Sequence, residues 1–291
     1  MDNGPALLEL TLGSHIHSAD ADKYMSEAAL KSTNCWDVLG AVLVRAQRGN
    51  FSELHRIERL LRSYSAGTFW HASIALFSYA SSWEDIARLG TNLRDLQSDP
   101  ATQNYLAILY GYACDLRAVE PLLDLHRQSD TEDVRYEIER TLSYLLEPEN
   151  GPIWWGADED QVELDTPDDG GRRYEDVIDK EGYAVMVRNT CVDLRTALKT
   201  TKIIGAIPFA VAPLADRLNK RLLADELQID RISHERTVLE AATGVNCSGF
   251  SNKQGEFFQL GAAEVMSEIL DGDLSRYEPG RRYFFGHLMP D

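Results

Sequence analysis

The feature that most limits what this chain can fold into is an internal repeat with a period of 33 residues. "ALFSYA" (Ala75 to Ala80) returns as "ILYGYA" (Ile108 to Ala113), and Leu43, Leu76, Leu109 and Leu142 fall on one register. Tyr79 and Tyr112 repeat in step, with Leu145 at the third position, and Ile86, Leu89 and Leu93 answer to Val119, Leu122 and His126. With a one-residue slip the last set also matches Leu54, Ile57 and Leu61. A fixed period of this length marks a supersecondary unit that buries its apolar stripe only against its neighbours.

Within each unit the apolar spacing is i, i+3, i+4, i+7, as in Leu54, Ile57, Leu60, Leu61 and Tyr64, which predicts helices. First helices are expected over about 36–48, 68–80, 101–113 and 132–146, and second helices over about 51–64, 83–97 and 116–128. Gly49-Asn50, Ala66-Gly67, Ser98-Asp99-Pro100 and Ser129-Asp130-Thr131 mark the turns, and Pro100 suits a first helical position. On this spacing and apolar pattern, residues 35–147 resemble the HEAT-like family of helical repeats. The resemblance implies an α-solenoid over residues 1–147 and a role as a binding surface, because such arrays mostly bind other molecules; fold alone does not fix function.

The 291 residues carry a formal charge of −18. Of that excess, ten charges fall in residues 147–181, which hold 13 acidic and 3 basic side chains. Pro148, Gly151, Pro152, Gly156, Pro167, Gly170 and Gly171 punctuate the segment, so 148–181 reads as an acidic loop or linker. As a calcium loop it places Asp165, Asp169, Gly170 and Asp176 at positions 1, 5, 6 and 12, but Pro167 at position 3 has no side-chain oxygen. A catalytic carboxylate pair needs two acids in different fixed environments, which a solvated loop does not supply. Two readings are left: a docking surface for a basic protein, or a linker that is only solvated. For docking, the candidate contacts are Trp154, Trp155, Asp158, Glu159, Asp160, Asp165, Asp168 and Asp169, with carboxylates for Arg and Lys and indoles for apolar anchoring.

Residues 182–291 show no repeat and read as mainly helical, with a minor β element in the tail "YEPGRRYFFGHLMPD". Helices are expected over 183–200, 213–227, 233–242 and 259–270, the third opened by Ser233 with Arg236 where a capping-box acid belongs. The fold class is therefore mostly α: a HEAT-like α-solenoid followed by a mainly helical C-terminal domain.

Catalytic signatures are weak. There is no GxSxG, HExxH or P-loop motif, and His15-x-His17 lacks the barrel pattern that would make it a metal pair. His71 and His126 sit in repeat helices, where a satisfied, partly buried histidine is usual. Cys247 with His234 is a conceivable nucleophile and base, and His287 is a second C-terminal candidate. Arg281 and Arg282 beside Tyr283, Phe284 and Phe285 would suit an anion, or the rim of a docked tail. Cys35, Cys114, Cys191 and Cys247 form no CxxC pair and read as thiols in a reducing compartment. Met1-Asp2-Asn3-Gly4 has no signal-peptide character, and the longest apolar run, Ile203 to Ala215, is too short to span a bilayer and contains Pro208 and Pro213. A cytoplasmic protein without cofactor or metal is expected, and the negative charge disfavours nucleic acid and anionic membrane as partners.

In outline, the acidity, the helical repeats and the lack of catalytic motifs resemble the immunity proteins of bacterial toxin systems. That resemblance implies a non-enzymatic inhibitor that occludes the active site of a basic toxin or effector domain. The rivals are an enzyme with a site in the C-terminal half, a HEAT-like scaffold or adaptor, and a HEAT-like nucleic-acid handler, which would need a basic stripe on one face.

Overall fold

Two of the repeat helices open on a side chain that caps them. In the computed structural model, which describes residues 21–63, 67–96, 100–147, 180–224, 227–252 and 254–290, two short helices come first: α1 (Ala21–Tyr24) and α2 (Glu27–Leu30). The paired helices follow as α3 (Cys35–Gln47) with α4 (His55–Ser63), α5 (Gly67–Ala80) with α6 (Trp83–Leu96), and α7 (Pro100–Gly111) with α8 (Val119–Gln128). Next comes α9 (Glu132–Leu146). Asn34 caps α3 by accepting the Trp36 N–H at 3.0 Å, and Ser82 caps α6 by accepting the Asp85 N–H at 3.2 Å. The Ser82 hydroxyl also donates to the Asp85 carboxylate at 2.8 Å.

The sequence period reappears as a contact distance. Trp36 meets Phe69 edge-on at 5.0 Å, Tyr79 meets Tyr112 at 4.7 Å, and Arg117 reaches Glu84 at 3.2 Å, each pair one period apart. Equivalent positions therefore touch across neighbouring units: α3 packs on α5, α5 on α7, and α7 on α9. Each second helix packs on the first helix of the next unit, and Gly90 of α6 leaves room for Tyr110 of α7: a Cβ there would meet its hydroxyl at 2.0 Å. One continuous apolar core runs through these helices and into the remainder of the chain.

The chain re-enters the described residues at α10 (Lys180–Leu198), which lies against α8 and α9. Arg188 binds Glu120 through two nitrogens at 2.9 and 3.0 Å, and Tyr183 packs its ring on His126 at 4.9 Å. This is the place a second helix of a fourth pair would take, so the acidic stretch joins two neighbouring helices, α9 and α10. Residues 148–179, with Trp154, Trp155, Asp158, Glu159, Asp160, Asp165, Asp168 and Asp169, lie outside the described residues.

Two small antiparallel hairpins and three helices complete the order: β1 (Ile203–Ile204), β2 (Ile207–Pro208), α11 (Val211–Leu222), α12 (Ile229–Thr243), α13 (Gln259–Asp271), β3 (Tyr283–Phe284) and β4 (His287–Leu288). The protein is mostly α, with these hairpins its two small sheets among the described residues. Both turns place their two central residues at positive φ, Gly205 and Ala206 in one and Phe285 and Gly286 in the other, the twist that two-residue hairpins favour. Both turns also point their backbone amides at a helix end. Gly205 and Ala206 donate to the Tyr144 and Leu145 carbonyls of α9 at 2.9 and 3.0 Å. Phe285 and Gly286 donate to Ala241 and Ala242 of α12 at 2.7 and 2.8 Å. The last carbonyls of a helix lack partners within it, so each hairpin serves as a C-terminal cap.

Three expectations change here. The apolar run from Ile203 divides into the first hairpin and the start of α11. Pro213 falls in the first turn of α11, which ends at Leu222 instead of 227. Ser233 is interior to α12, which begins a turn earlier at Ile229.

Candidate functional site

The densest polar chemistry lies where α12, packed on α11, meets the ends of α7 and α9. Helical spacing on α12 sets Arg231, His234, Glu235 and Val238 along one strip. Arg231 donates to the Glu147 carboxylate at 2.7 Å and to the Ser143 hydroxyl at 2.6 Å, and Ser143 donates to the same carboxylate at 2.6 Å. One turn on, Glu235 receives Arg217 at 3.0 Å and Arg221 at 3.1 Å, two arginines four residues apart on α11. Arg217 also donates to the carbonyls of Ile204 and Gly205 in the first hairpin. Burial raises the Glu147 carboxyl and lowers the Arg231 guanidinium, each against its charge, so the pair is held by its geometry.

His234 is clamped between two tyrosines. Its ring stacks on Tyr112 at 5.1 Å and on Tyr144 at 4.5 Å, and Tyr112 continues to Tyr79. The result is a ladder of four rings that draws on three successive repeats. Burial, together with the nearby charges of Arg231, Arg140 and Arg217, lowers the His234 pKa to about 3. Burial also raises the Tyr79, Tyr112 and Tyr144 phenols, so at neutral pH the ladder is uncharged and sits among arginines.

A second group of contacts lies at the ends of α5 and α7. Arg282 is buried and donates to the carbonyls of Ser78 at 2.5 Å, Tyr79 at 3.2 Å and Ser81 at 3.3 Å. A cation at a helix C-terminus also complements the helix dipole. After α7, buried Asp115 binds Arg117 at 2.8 Å and Lys202 at 2.9 Å. Burial raises this carboxyl, and its two cations more than offset that, leaving its pKa lowered.

The sequence candidates distribute as follows. Cys247 and His234 are not a pair: the Cys247 thiol points to the Val245 carbonyl at 3.6 Å, burial pushes its pKa up, and His234 makes its ring contacts with tyrosines. A raised thiol pKa opposes nucleophilic use. Arg282 is turned inward, to the carbonyls at the end of α5. His287 is exposed and lies over Gly49, whose Cβ would meet it at 2.9 Å. His126 is satisfied by Glu139 at 2.6 Å, as its position in a repeat helix predicts. Burial lowers His71. Cys114 is pushed up to about 11 by burial. Among the described residues no three His, Cys, Asp or Glu gather as metal ligands, and no helix is long and apolar enough to cross a membrane.

Sequence reasoning missed Arg217, Arg231, Arg236 and Glu147. Arginine on a helix reads as solvated surface, and only the incomplete capping box at Arg236 was a visible irregularity. An apolar patch was missed as well: Leu223, Phe258 and Leu260 are exposed where α11 ends and α13 begins, beside the Gln259 bond to the Leu222 carbonyl at 2.5 Å. Compared with known proteins, the chain matches no family model, no curated relative and no solved structure.

Proposed function

We propose that this protein is a non-catalytic binding protein that occludes the active surface of a basic protein, in the manner of an immunity protein that neutralises a bacterial toxin. The observation that carries the reading is the direction in which the charges face. Among the described residues the buried ionic side chains are six arginines (Arg45, Arg217, Arg221, Arg231, Arg236 and Arg282) and four carboxylates (Asp115, Glu147, Glu235 and Glu240). The interior thus removes more positive than negative charge from the surface, on a chain whose formal charge is already −18. Such a surface accelerates encounter with a cationic partner and repels phosphate backbones.

The helix pairs form, in this reading, a HEAT-like α-solenoid. The acidic stretch between α9 and α10 adds a net ten negative charges. Asp158, Glu159, Asp160, Asp165, Asp168 and Asp169 supply charge-assisted hydrogen bonds to Arg and Lys, and Trp154 and Trp155 supply apolar anchors. The raised thiol of Cys247 speaks against the rival enzyme built on that residue.

The test pairs capture with kinetics. Tagged protein is used to capture partners from its own host, a salt gradient elutes them, and association is then measured for wild type and for D158N, E159Q, D160N, D168N and D169N combined. The expected result is a stoichiometric basic partner released by salt, with slower association and a weaker salt dependence for the variant. Unchanged kinetics would remove the acidic segment from the interface. A partner that resists salt would move the interface to the apolar patch at Leu223, Phe258 and Leu260.

A further inference from the structure

We propose that the outer face of α13 docks a basic amphipathic helix of a partner protein, whose apolar side chains cover Leu223, Phe258 and Leu260 and whose lysines or arginines run along Glu264, Glu268 and Asp271. The proposal rests on the reading of a basic partner and gives that partner a place on the fold outside the acidic segment.

The apolar part is one patch shared by two helix ends. Leu223 and Leu260, 73% and 72% exposed, are the two most exposed large apolar side chains among the described residues. The Gln259 amide donates to the Leu222 carbonyl at 2.5 Å, so the chain positions next to both leucines touch. The Phe258 ring lies over the first turn of α13, where a Cβ on Gly261 would meet it at 2.7 Å. Contiguous exposed apolar surface of this kind marks a contact site.

The charges beside the patch say what covers it. Leu260, Glu264, Glu268 and Asp271 stand at i, i+4, i+8 and i+11, one exposed strip opposite the buried Ala262, Met266 and Ile269. The strip is about 16 Å long. No lysine or arginine occurs in α13, and none of the three carboxylates has an ion-pair partner among the described residues. On the repeat helices such carboxylates are answered locally: Glu58 by Arg62 at 3.1 Å, Asp85 by Arg88 at 2.7 Å and Asp124 by Arg127 at 3.2 Å. The next cation after α13, Arg276, turns to the Tyr277 hydroxyl at 2.5 Å. Lys220, exposed in the last turn of α11, suits the end of its own helix. Glu268 and Asp271 stand in the last turn of α13, where the helix dipole is itself negative. That placement works against the helix, and an approaching cation relieves it.

A second copy of the chain does not supply the cation, because its α13 brings the same carboxylates and no basic residue. An anionic membrane is repelled for the same reason. A helix whose cations recur every three and four residues matches the pitch of the carboxylates, and apolar side chains at one end of its stripe meet the leucines.

The probe is a helical peptide built from leucine and lysine, with the leucines along one face, labelled for fluorescence anisotropy and added to the full chain. Expected is saturable one-to-one binding, weakened about ten-fold or more by Glu264→Gln, Glu268→Gln and Asp271→Asn combined, and about ten-fold by Leu223→Ser with Leu260→Ser. Glu132→Gln, Asp133→Asn and Asp193→Asn combined remove the same charge from exposed positions on α9 and α10 and should weaken binding by less than about three-fold. All these side chains are exposed, so the variants keep the fold. A wild type that does not bind overturns the proposal, as do equal losses in the α13 and control variants or undiminished affinity in the leucine variant. The host capture described above is a separate measurement: a basic partner that binds the α13 variants at full strength removes this surface and leaves the broader reading standing.

Discussion

Arg231 and Glu147 meet at 2.7 Å with both side chains inside the protein, one on α12 and the other at the end of α9. Eighty-four residues of chain separate them. They fasten the non-repeating part of the chain to the last described helix of the first-helix row. Arg231→Ala is expected to lower stability by about 3–5 kcal/mol, because it strands a buried carboxylate. Arg231→Met with Glu147→Leu should lose much less, because neither charge is then left unpaired. Urea unfolding of wild type, both single variants and the double variant measures the coupling.

His234 makes the fold sensitive to acid. Its folded pKa of about 3 lies below the unfolded value of 6.5, so between those limits the unfolded chain binds more protons. Stability therefore falls as pH drops through that window, by up to about 1.4 kcal/mol per pH unit. His234→Phe keeps a ring between Tyr112 and Tyr144 and removes the titration. Between pH 7 and pH 5 its melting temperature should fall less than that of wild type.

Arg282 satisfies the carbonyls of Ser78, Tyr79 and Ser81 at the end of α5. Arg282→Met leaves those acceptors buried and should destabilise by about 2–4 kcal/mol. Lysine cannot reproduce the planar fork, so Arg282→Lys should recover only part of the loss. Hydrogen exchange along α5 reads the effect locally, with faster exchange toward its C-terminal turn.

Gly244 ends α12 at φ 76°, and a Cβ there would meet the Phe285 ring at 2.7 Å. Gly244→Ala combines a strained backbone with a clash against the second hairpin. A loss of about 1–3 kcal/mol is expected in thermal or urea unfolding. Gly255, also at positive φ but with nothing within 4 Å, serves as the control and should lose less on the same change.

The repeat helices were legible because a stripe of Leu43, Leu76, Leu109 and Leu142 at a fixed period has few other uses. Their stacking was implied as well: Tyr79 and Tyr112, matched by register, touch. The crossing helices were legible as helices but not by what they bury. Periodicity separates apolar from polar faces, and Arg217, Arg231 and Arg282 count as polar wherever they point. The second hairpin was half visible, as the aromatic run at Tyr283, while the first lay unrecognised in the apolar run at Ile203; neither reading had the helix ends that the turns cap. The pairing of Cys247 with His234 failed for a related reason. Closeness in sequence gave no hint that Tyr112 and Tyr144, from two different repeats, would hold the imidazole between them. The acidic segment reads as a loop or linker, and the described helices on either side of it, α9 and α10, are packing neighbours.

Arg282 follows its acceptor Ser78 by 204 residues, and that spacing sets a timetable. A ribosome adding roughly 5–20 residues per second delivers the arginine some 10–40 seconds after the serine has left it. The helix pairs can assemble during that interval, but the end of α5 stays hydrated until the last stretch emerges. A nascent chain that stalls before Arg282 would therefore hold a formed but unsealed array, a natural substrate for chaperones and proteases.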